Sequence, residues 1–216
     1  MKTAEKILVT SLDLFNQHGE SNVSSVDIAV ELDISPGNLY YHFKGKEVIV
    51  AALFDLYKNQ IDTAFNSAAN KDLSIEEFFY FLYVILEKGH HFQFLFHNQA
   101  NLAENYPLVA KKFKLLILSQ EKSIEKLITF FIQNGSLKAS FHQGIQIVEL
   151  VGLVFTQSAN YYALKGQNIS DETHLYKGLA TILFAVLPYI NLPPGELHHL
   201  QDAIATQTLV SALGAS

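Results

Sequence analysis

The stretch Ser24–Lys46, SSVDIAVELDISPGNLYYHFKGK, decides the fold of this chain. Ser24 and Ser35 each stand where a helix N-cap is expected, and a proline follows the second serine at the first helical position, where a missing N–H costs nothing. Between the two starts, Asp33 and Ile34 interrupt the apolar spacing of the first helix. The pattern predicts two short helices joined by a tight turn, the helix-turn-helix arrangement.

The second of these helices presents an unusual outer surface. Leu39 and Phe43 are four residues apart and are predicted to face the core. The side chains left outside are polar or aromatic: Asn38, Tyr40, Tyr41 and His42. Adjacent exposed tyrosines beside an amide and an imidazole suit phosphate and base-edge contacts better than they suit water. The surface therefore favours DNA binding over the alternative, a plain three-helix packing unit with aromatic edges.

Residues 4–58 resemble the DNA-binding domain of the TetR/AcrR family of bacterial regulators. The resemblance is carried by Ile7, Leu14-Phe15, His18-Gly19, Val23, Ile28-Ala29, Leu32, Ile34-Ser35-Pro36-Gly37, Leu39-Tyr40-Tyr41-His42-Phe43, Lys46 and Leu53. It implies an all-α protein with an N-terminal three-helix helix-turn-helix domain and a C-terminal helical bundle for dimerisation and ligand binding. The expected domains are residues 1–48 and 49–216, with a linking helix at about 47–66.

The resemblance also implies a set of DNA contacts. The candidates are Ser24, Ser25, Pro36, Gly37, Asn38, Tyr40, Tyr41, His42, Lys44 and Lys46. The two serines would touch phosphate. Gly37, Asn38 and Tyr40 would lie nearest the bases, and the DNA backbone would be held by Tyr41, His42 and Lys46. Lys46 stands at the predicted start of the next helix, where a cation opposes the helix dipole unless an anion docks there. The chain departs from the family at Val26, where many relatives have a polar or basic base-reading residue.

The charge of the chain limits how it can bind DNA. The formal net charge is −6, and all 15 basic residues are lysine. A broad basic face is therefore not available, and DNA affinity must rest on a local patch, helix N-termini and hydroxyl groups. The bidentate arginine contact to guanine is excluded as well. Because Asn38 can pair with adenine and tyrosine rings can pack on thymine methyl groups, the operator half-site is expected to favour A·T pairs.

Composition narrows the class of protein further. The chain has 216 residues and no cysteine, which excludes disulfides and thiolate metal sites. Its N-terminus lacks a signal pattern, and its most apolar run, residues 180–190, is shorter than the ~20 residues that span a bilayer. A cytoplasmic protein without a membrane partner is expected.

Two helices, at about 142–165 and 171–187, are apolar on nearly all sides, which is typical of helices buried on nearly all sides. A bundle of this size is not expected to cover them alone, so a second copy of the chain is the expected partner. Glutamate at Val151 or Leu183 is therefore expected to give monomers or aggregates. The alternative is that both are central helices of a monomeric core.

Residues 70–190 are rich in aromatic side chains. Most aromatic stripes are core, yet a bundle packed with them commonly leaves a cavity in which polar groups orient a ligand. The candidate ligand-binding residues are Phe96, Phe113, Phe155, Gln157, Asn160, Tyr161 and Tyr162. The absence of arginine and the scarcity of charge within the helices indicate a small, largely apolar effector of unknown identity.

Metal binding and catalysis find little support in the sequence. Adjacent histidines such as His90 and His91 diverge by ~100° on a helix, which makes a weak site, and no cofactor is expected. No nucleophile elbow, phosphate-binding glycine loop or HExxH motif is present, so an enzyme is not predicted. The sequence predicts a homodimeric repressor that binds a palindromic operator and is released by a small molecule. The alternatives are a ligand-independent architectural DNA-binding protein and, more distantly, an enzyme with a DNA-binding head.

Overall fold

The computed structural model describes residues 2–169 and 171–209, and within them the chain is built of α-helices. Their bounds are α1 Thr3–His18, α2 Ser25–Glu31, α3 Pro36–His42, α4 Lys46–Ala69, α5 Ile75–His91, α6 Phe94–His97, α7 Gln99–Asn105, α8 Pro107–Gln133, α9 Phe141–Leu164, α10 Thr173–Val186 and α11 Pro194–Ala205. Short 3₁₀ helices lie at Glu20–Asn22 and Leu187–Tyr189. The described residues form no strand, and the predicted all-α fold class is confirmed. No helix among them is both long and apolar enough to cross a bilayer.

The helix starts predicted from capping residues are confirmed. The Ser24 Oγ accepts from the Asp27 N–H at 3.2 Å, and the Ser35 Oγ accepts from the Asn38 N–H at 3.1 Å. Between α2 and α3, Asp33 has a φ of 52°, a left-handed conformation that aspartate tolerates better than most residues. Local side-chain chemistry therefore sets both ends of the turn that orients α3.

The helices after α4 were predicted with more mixed success. The Ser74–Glu77 capping box at the start of α5 forms as expected, with the Ser74 N–H donating to Glu77 at 2.8 Å and the Glu77 N–H donating to Ser74 at 3.1 Å. Residues 107–133 form one helix, for which the sequence left a bend open. The short helices α6 and α7 were not predicted.

The described chain forms two compact units, each made of segments that are separate in sequence. The first contains the residues up to Gln60 together with His91–Leu116. Its core includes Phe15, which is fully buried and lies 5.4 Å from the ring of Phe94. The helix-turn-helix therefore shares a compact unit with α6, α7 and the first part of α8. The predicted boundary between residues 48 and 49 separates a DNA-binding from a ligand-binding function, which these compact units do not test, and it stays a prediction.

The second unit contains Ile61–His90 and the residues from Ile117 onward. Its helices α9 and α10 pack closely, because a Cβ at Gly178 would lie only 3.1 Å from the Val154 side chain. Val151 and Leu183 are 0% and 6% exposed within the single chain. Both residues face the core of their own unit, so a glutamate there would act first on the fold of the single chain, and the outcome of monomers or aggregates stays a prediction. Leu153 in the middle of α9 and Phe184 on α10 are 62% and 81% exposed, and α9 also exposes Phe141, Tyr161 and Leu164 near its ends.

Candidate nucleic-acid interface

The outer surface of α3 is a short exposed row of polar and aromatic side chains. Leu39 is only 2% exposed and anchors the helix in its unit, while Tyr40 and Tyr41 are 59% and 81% exposed. Asn38 and His42 are exposed as well. The Tyr41 and His42 rings stand edge to face with centroids 5.3 Å apart. The row presents amide, imidazole and phenol groups in the form expected for contacts to bases and phosphates.

The remaining candidates lie at the N-terminal ends of α2 and α3 and just after α3. Pro36, Gly37 and Lys44 are exposed, and Ser25 is half-buried. The Ser24 hydroxyl donates to the Asp27 carboxylate at 2.7 Å. This bond, together with the Ser24 N–H, holds the pKa of the Asp27 carboxyl below its ordinary value. The Ser24 hydroxyl proton therefore serves the capping box.

Lys46, the first residue of α4, is bound within the chain itself. Its Nζ lies 2.7 Å from the Glu20 carboxylate and donates to the Glu20 and Val23 carbonyl oxygens, each at 3.0 Å. Three acceptors match the three N–H groups of an ammonium. The anion that a cation at a helix N-terminus requires is thus supplied by Glu20. A role for Lys46 in holding phosphate stays a prediction. The sequence analysis did not predict its structural role, which is to bond Glu20 and Val23.

Glu20 is the centre of a buried polar cluster. Glu20 is only 8% exposed. Besides pairing with Lys46, its carboxylate accepts hydrogen bonds from the Tyr106 hydroxyl and from the Asn101 Nδ2, the latter at 3.1 Å. Burial, followed by the bond to Glu20, raises the pKa of the Tyr106 hydroxyl. The partners lie at the start of α4, in α7 and just before α8. Glu20 therefore joins the approach to α2 to three other elements of the first unit.

A second polar side chain of α1 reinforces this connection. The Asn16 amide donates from Nδ2 to the His91 carbonyl at 2.9 Å, and its Oδ1 accepts from the Phe94 N–H at 3.1 Å. One side chain thus satisfies both a carbonyl and an N–H at the turn between α5 and α6. No local pattern in the sequence indicates the bonds of Asn16 and Glu20 to α5, α6, α7 and Tyr106, because those partners lie about 75 to 86 positions away.

Comparison with known proteins decides the family. A family model described as "Bacterial transcriptional repressor" matches residues 56–196, and one described as "Bacterial regulatory proteins, tetR family" matches residues 7–53. The chain belongs to the TetR family. It is a transcriptional repressor that binds DNA, and DNA binding is what the helix-turn-helix predicted.

Individual relatives agree with this assignment. The biofilm operon icaADBC negative transcriptional regulator IcaR of Staphylococcus aureus (strain Newman) is 27% identical over 164 residues, which are 67% of this chain and 88% of that protein. The probable transcriptional regulator YttP of Bacillus subtilis (strain 168) is 29% identical over 42% of this chain, and the match spans 45% of that relative's own length.

Solved structures extend the likeness to the whole fold. A TetR-family regulator from Marinobacter aquaeolei VT8 superposes with a TM-score of 0.83 at 25% identity, covering 95% of this chain and 98% of its own. The ketosteroid regulator KstR2 of Mycobacterium tuberculosis has a TM-score of 0.66 at 13% identity over 88% and 96% of the two chains, which shows the shared fold alone.

The predicted ligand-binding residues of this TetR-family chain fall into two groups. Phe96 and Phe113 belong to the first unit, where their rings lie 5.2 Å apart and both pack edge-on or tilted against Tyr57. Both phenylalanines are buried, at 7% and 6% exposure. Their environment is that of a packed aromatic core.

The other candidates lie on the second half of α9, in the second unit. Gln157 and Tyr161 are exposed, while Phe155, Asn160 and Tyr162 are half-buried. The Lys165 ammonium lies 5.2 Å from the Tyr161 ring centre and the Lys177 ammonium 5.4 Å from that of Tyr162. The α9 group is therefore a partly exposed surface, and a ligand-binding role for either group stays a prediction.

A buried polar cluster joins α5 to the start of α10 in the second unit. The Tyr83 hydroxyl donates to the Glu172 carboxylate at 2.6 Å, and the His90 and His174 rings lie 4.9 Å apart. His174 is 2% exposed, and its Nδ1 lies 2.7 Å from the Asp171 carbonyl. Since a carbonyl oxygen only accepts, Nδ1 carries the proton. Across the part of the chain that is described, no three His, Asp or Glu side chains are grouped as metal ligands.

The stability of the folded chain is expected to fall as the pH drops below 6.5. Burial lowers the pKa of His174 from 6.5, so the unfolded chain takes up a proton there that the folded chain resists. Each such proton costs up to about 1.4 kcal/mol per pH unit. Urea unfolding at pH 5.5 and 7.5 measures the loss. His174→Gln should reduce the dependence of the unfolding free energy on pH, whereas His142→Gln, at an exposed position, is the control and should leave that dependence unchanged. The same pH dependence in both variants would contradict the assignment to His174.

Proposed function

We propose that this chain represses transcription as a homodimer that binds a palindromic operator through α3 and is released by a small, largely apolar effector. The observation that carries the DNA-binding part is the exposed row on α3, from Asn38 to His42, held outward by the buried Leu39. The family supports it, because repressors with a helix-turn-helix place this second helix in the major groove.

The uncovered face of α9 and α10 supports the dimer. Leu153 and Phe184 are large apolar side chains on two helices that pack together, and both are more than half exposed in the single chain. Covering these side chains with a second copy would remove their apolar surface from water. A second copy of the same face would cover both residues in a two-fold arrangement, and two recognition helices related by that axis read a palindrome.

The division of labour among the lysines follows from their contacts. Lys46 has its three donors bound within the chain, whereas Lys44 is exposed. We assign the phosphate contact beside α3 to Lys44 and a positioning role to Lys46. The Gly37 N–H at the start of α3 offers one further donor, because Pro36 has no N–H and the Asn38 N–H is bonded to Ser35.

Selection from random DNA duplexes tests the proposed function. The recovered sites are expected to be palindromic and to favour A·T pairs under α3, because the chain has no arginine to read guanine. The salt dependence of binding should correspond to only about four to six phosphate contacts per dimer. Single-stranded or non-palindromic winners would overturn the homodimeric repressor, and G·C pairs at the contacted positions would overturn the reading of the bases alone.

Two substitutions in the helix-turn-helix are expected to distinguish the residues that contact bases from those that contact phosphates. Asn38→Ala should weaken binding to the selected operator by about tenfold, since a bidentate base contact is worth ~1–3 kcal/mol, while leaving random duplex binding nearly unchanged. Lys44→Ala should weaken both and reduce the salt slope by about one unit per protomer. Fluorescence anisotropy with both duplexes at several salt concentrations measures the difference. Equal losses on operator and random DNA for Asn38→Ala would remove it from the base-reading set.

A further inference from the structure

A cleft of about 220 Å³ lies in the second unit between the end of α4 and the middle of α8. Its apolar walls are Phe65, Leu127 and Phe130, and its rim carries the charged side chains of Lys71, Asp72 and Lys126. None of these residues belongs to the DNA-binding row on α3 or to the aromatic groups expected from the sequence to bind an effector.

The walls of the cleft are held in place by the core behind them. Phe65 is 8% exposed, and its ring stands edge to face with Phe81 at 5.0 Å. Phe130 packs at 5.6 Å against Phe131, which is fully buried. Leu127 and Phe130 are three residues apart on α8 and thus share one side of that helix. A ligand would enter a preformed apolar surface rather than having to create one.

The charges at the rim favour an anion. Lys71 and Lys126 are exposed, and neither makes an ion pair with another residue of the described chain. Asp72 opposes them with a single carboxylate, which leaves the lining with one net positive charge. This is a local excess of cations in a chain whose formal net charge is −6. Two unpaired ammonium groups beside an apolar wall suit a molecule with an apolar body and one acidic end.

We propose that the cleft binds a small amphiphilic carboxylate, with its apolar body against Phe65, Leu127 and Phe130 and its carboxylate between Lys71 and Lys126. The volume is below the ~300–1,000 Å³ of pockets for drug-sized ligands, which selects an acid of medium chain length. The assignment of the cleft as the effector site rests on the proposed function. The binding of the acid to the protein without DNA does not depend on that function.

The binding step is tested on the full chain without DNA by NMR titration with octanoate and, as the neutral counterpart, octan-1-ol. Octanoate should cause saturable shifts in residues 65–72 and 123–130 and bind several-fold more tightly than the alcohol. Lys126→Gln should raise its Kd about threefold, and Lys71→Gln with Lys126→Gln about tenfold. Asp72→Asn should lower the Kd about twofold, because it removes the opposing carboxylate.

Lys138→Gln is the matched control, since it makes the same charge change at an exposed lysine outside the cleft lining. Its Kd for octanoate should equal that of the unaltered chain. Absence of saturable shifts, equal affinity for the alcohol, or equal effects of the Lys126 and Lys138 substitutions would each overturn the carboxylate site.

A second measurement separates the site from the proposed function. Operator binding is followed by anisotropy with increasing octanoate, and release at concentrations that fill the cleft would assign the effector to it. Octanoate binding without release would overturn the cleft as the effector site. Failure to bind any operator would overturn the repressor function, whereas the NMR result would still decide whether the cleft binds the acid.

Discussion

Replacing Phe184 by glutamate is expected to convert a dimer into a folded monomer. Phe184 is 81% exposed on α10, so the charge meets water in the single chain and the fold is preserved. In a two-fold dimer the same position is buried twice, and an unpaired buried charge costs several kcal/mol. The dissociation constant should rise by about a thousandfold. Sedimentation velocity at about 1 µM, with circular dichroism to verify the helices, measures the outcome.

The neighbouring residue supplies a control with the opposite expectation. Leu183 is 6% exposed in its own unit, so Leu183→Glu should unfold the chain at every concentration rather than dissociate it. A Phe184→Glu variant that sediments as the unaltered chain does, with the same concentration dependence, would show that this face of α9 and α10 is not the interface.

Glu20→Ala is expected to destabilise the folded chain by about 3 kcal/mol and to lower its melting temperature by roughly 6–12 °C. The substitution leaves Lys46, whose side chain is 22% exposed, without its carboxylate partner, and it leaves the buried Tyr106 hydroxyl without its acceptor. Operator affinity should fall with it, because the same ammonium bonds the carbonyl of Val23, just before α2. Thermal unfolding and operator anisotropy, both below the melting range, measure the two effects.

The companion variants distinguish a charge effect from lost packing. Glu20→Gln keeps the shape and a hydrogen-bond acceptor but still leaves the ammonium of Lys46 uncompensated. Combining it with Lys46→Met removes both charges and should recover part of the stability, since the cost arises from breaking the pair. A loss below about 1 kcal/mol for Glu20→Ala would mean that the cluster is not a structural centre.

The parts of the fold that could be predicted are those specified by neighbouring residues. Ser24, Ser35 and Ser74 each bond an N–H three positions away, so their helix starts are written in four-residue windows. The outward set on α3 follows from the spacing of Leu39 and Phe43 in the same way. These local rules were enough for the helix-turn-helix and for the candidate DNA surface, whereas the all-α fold class came from the family resemblance.

The Glu20 cluster depends instead on pairings between residues that are far apart in the chain. Tyr106 and Asn101 reach Glu20 only after α4 and α5 have returned the chain to its first unit, and no periodic pattern encodes that return. One sequence signal did point to it. A lysine at the start of a helix needs an anion, and the sequence analysis looked for that anion in DNA when the chain supplies its own.

The apolar helices α9 and α10 show a different limit. When nearly every face of a helix is apolar, its periodicity no longer tells which side meets its own chain and which side meets a partner. Val151 and Leu153 are two residues apart and equally apolar in sequence, yet one is fully buried and the other is 62% exposed. Only the packing of α9 against the other helices of its unit, α8 and α10 among them, separates them.

The discontinuous first unit has a consequence for protein engineering. A chimeric repressor that joins residues 1–48 to the regulatory part of another family member would carry Glu20 and Asn16 away from the groups that satisfy them, in Tyr106, Asn101 and the turn before α6. The exchangeable piece is therefore not a continuous segment. A chimera that retains operator recognition has to include residues 91–116 together with residues 1–48. Otherwise the hydrogen-bonded pairs between these two segments have to be redesigned.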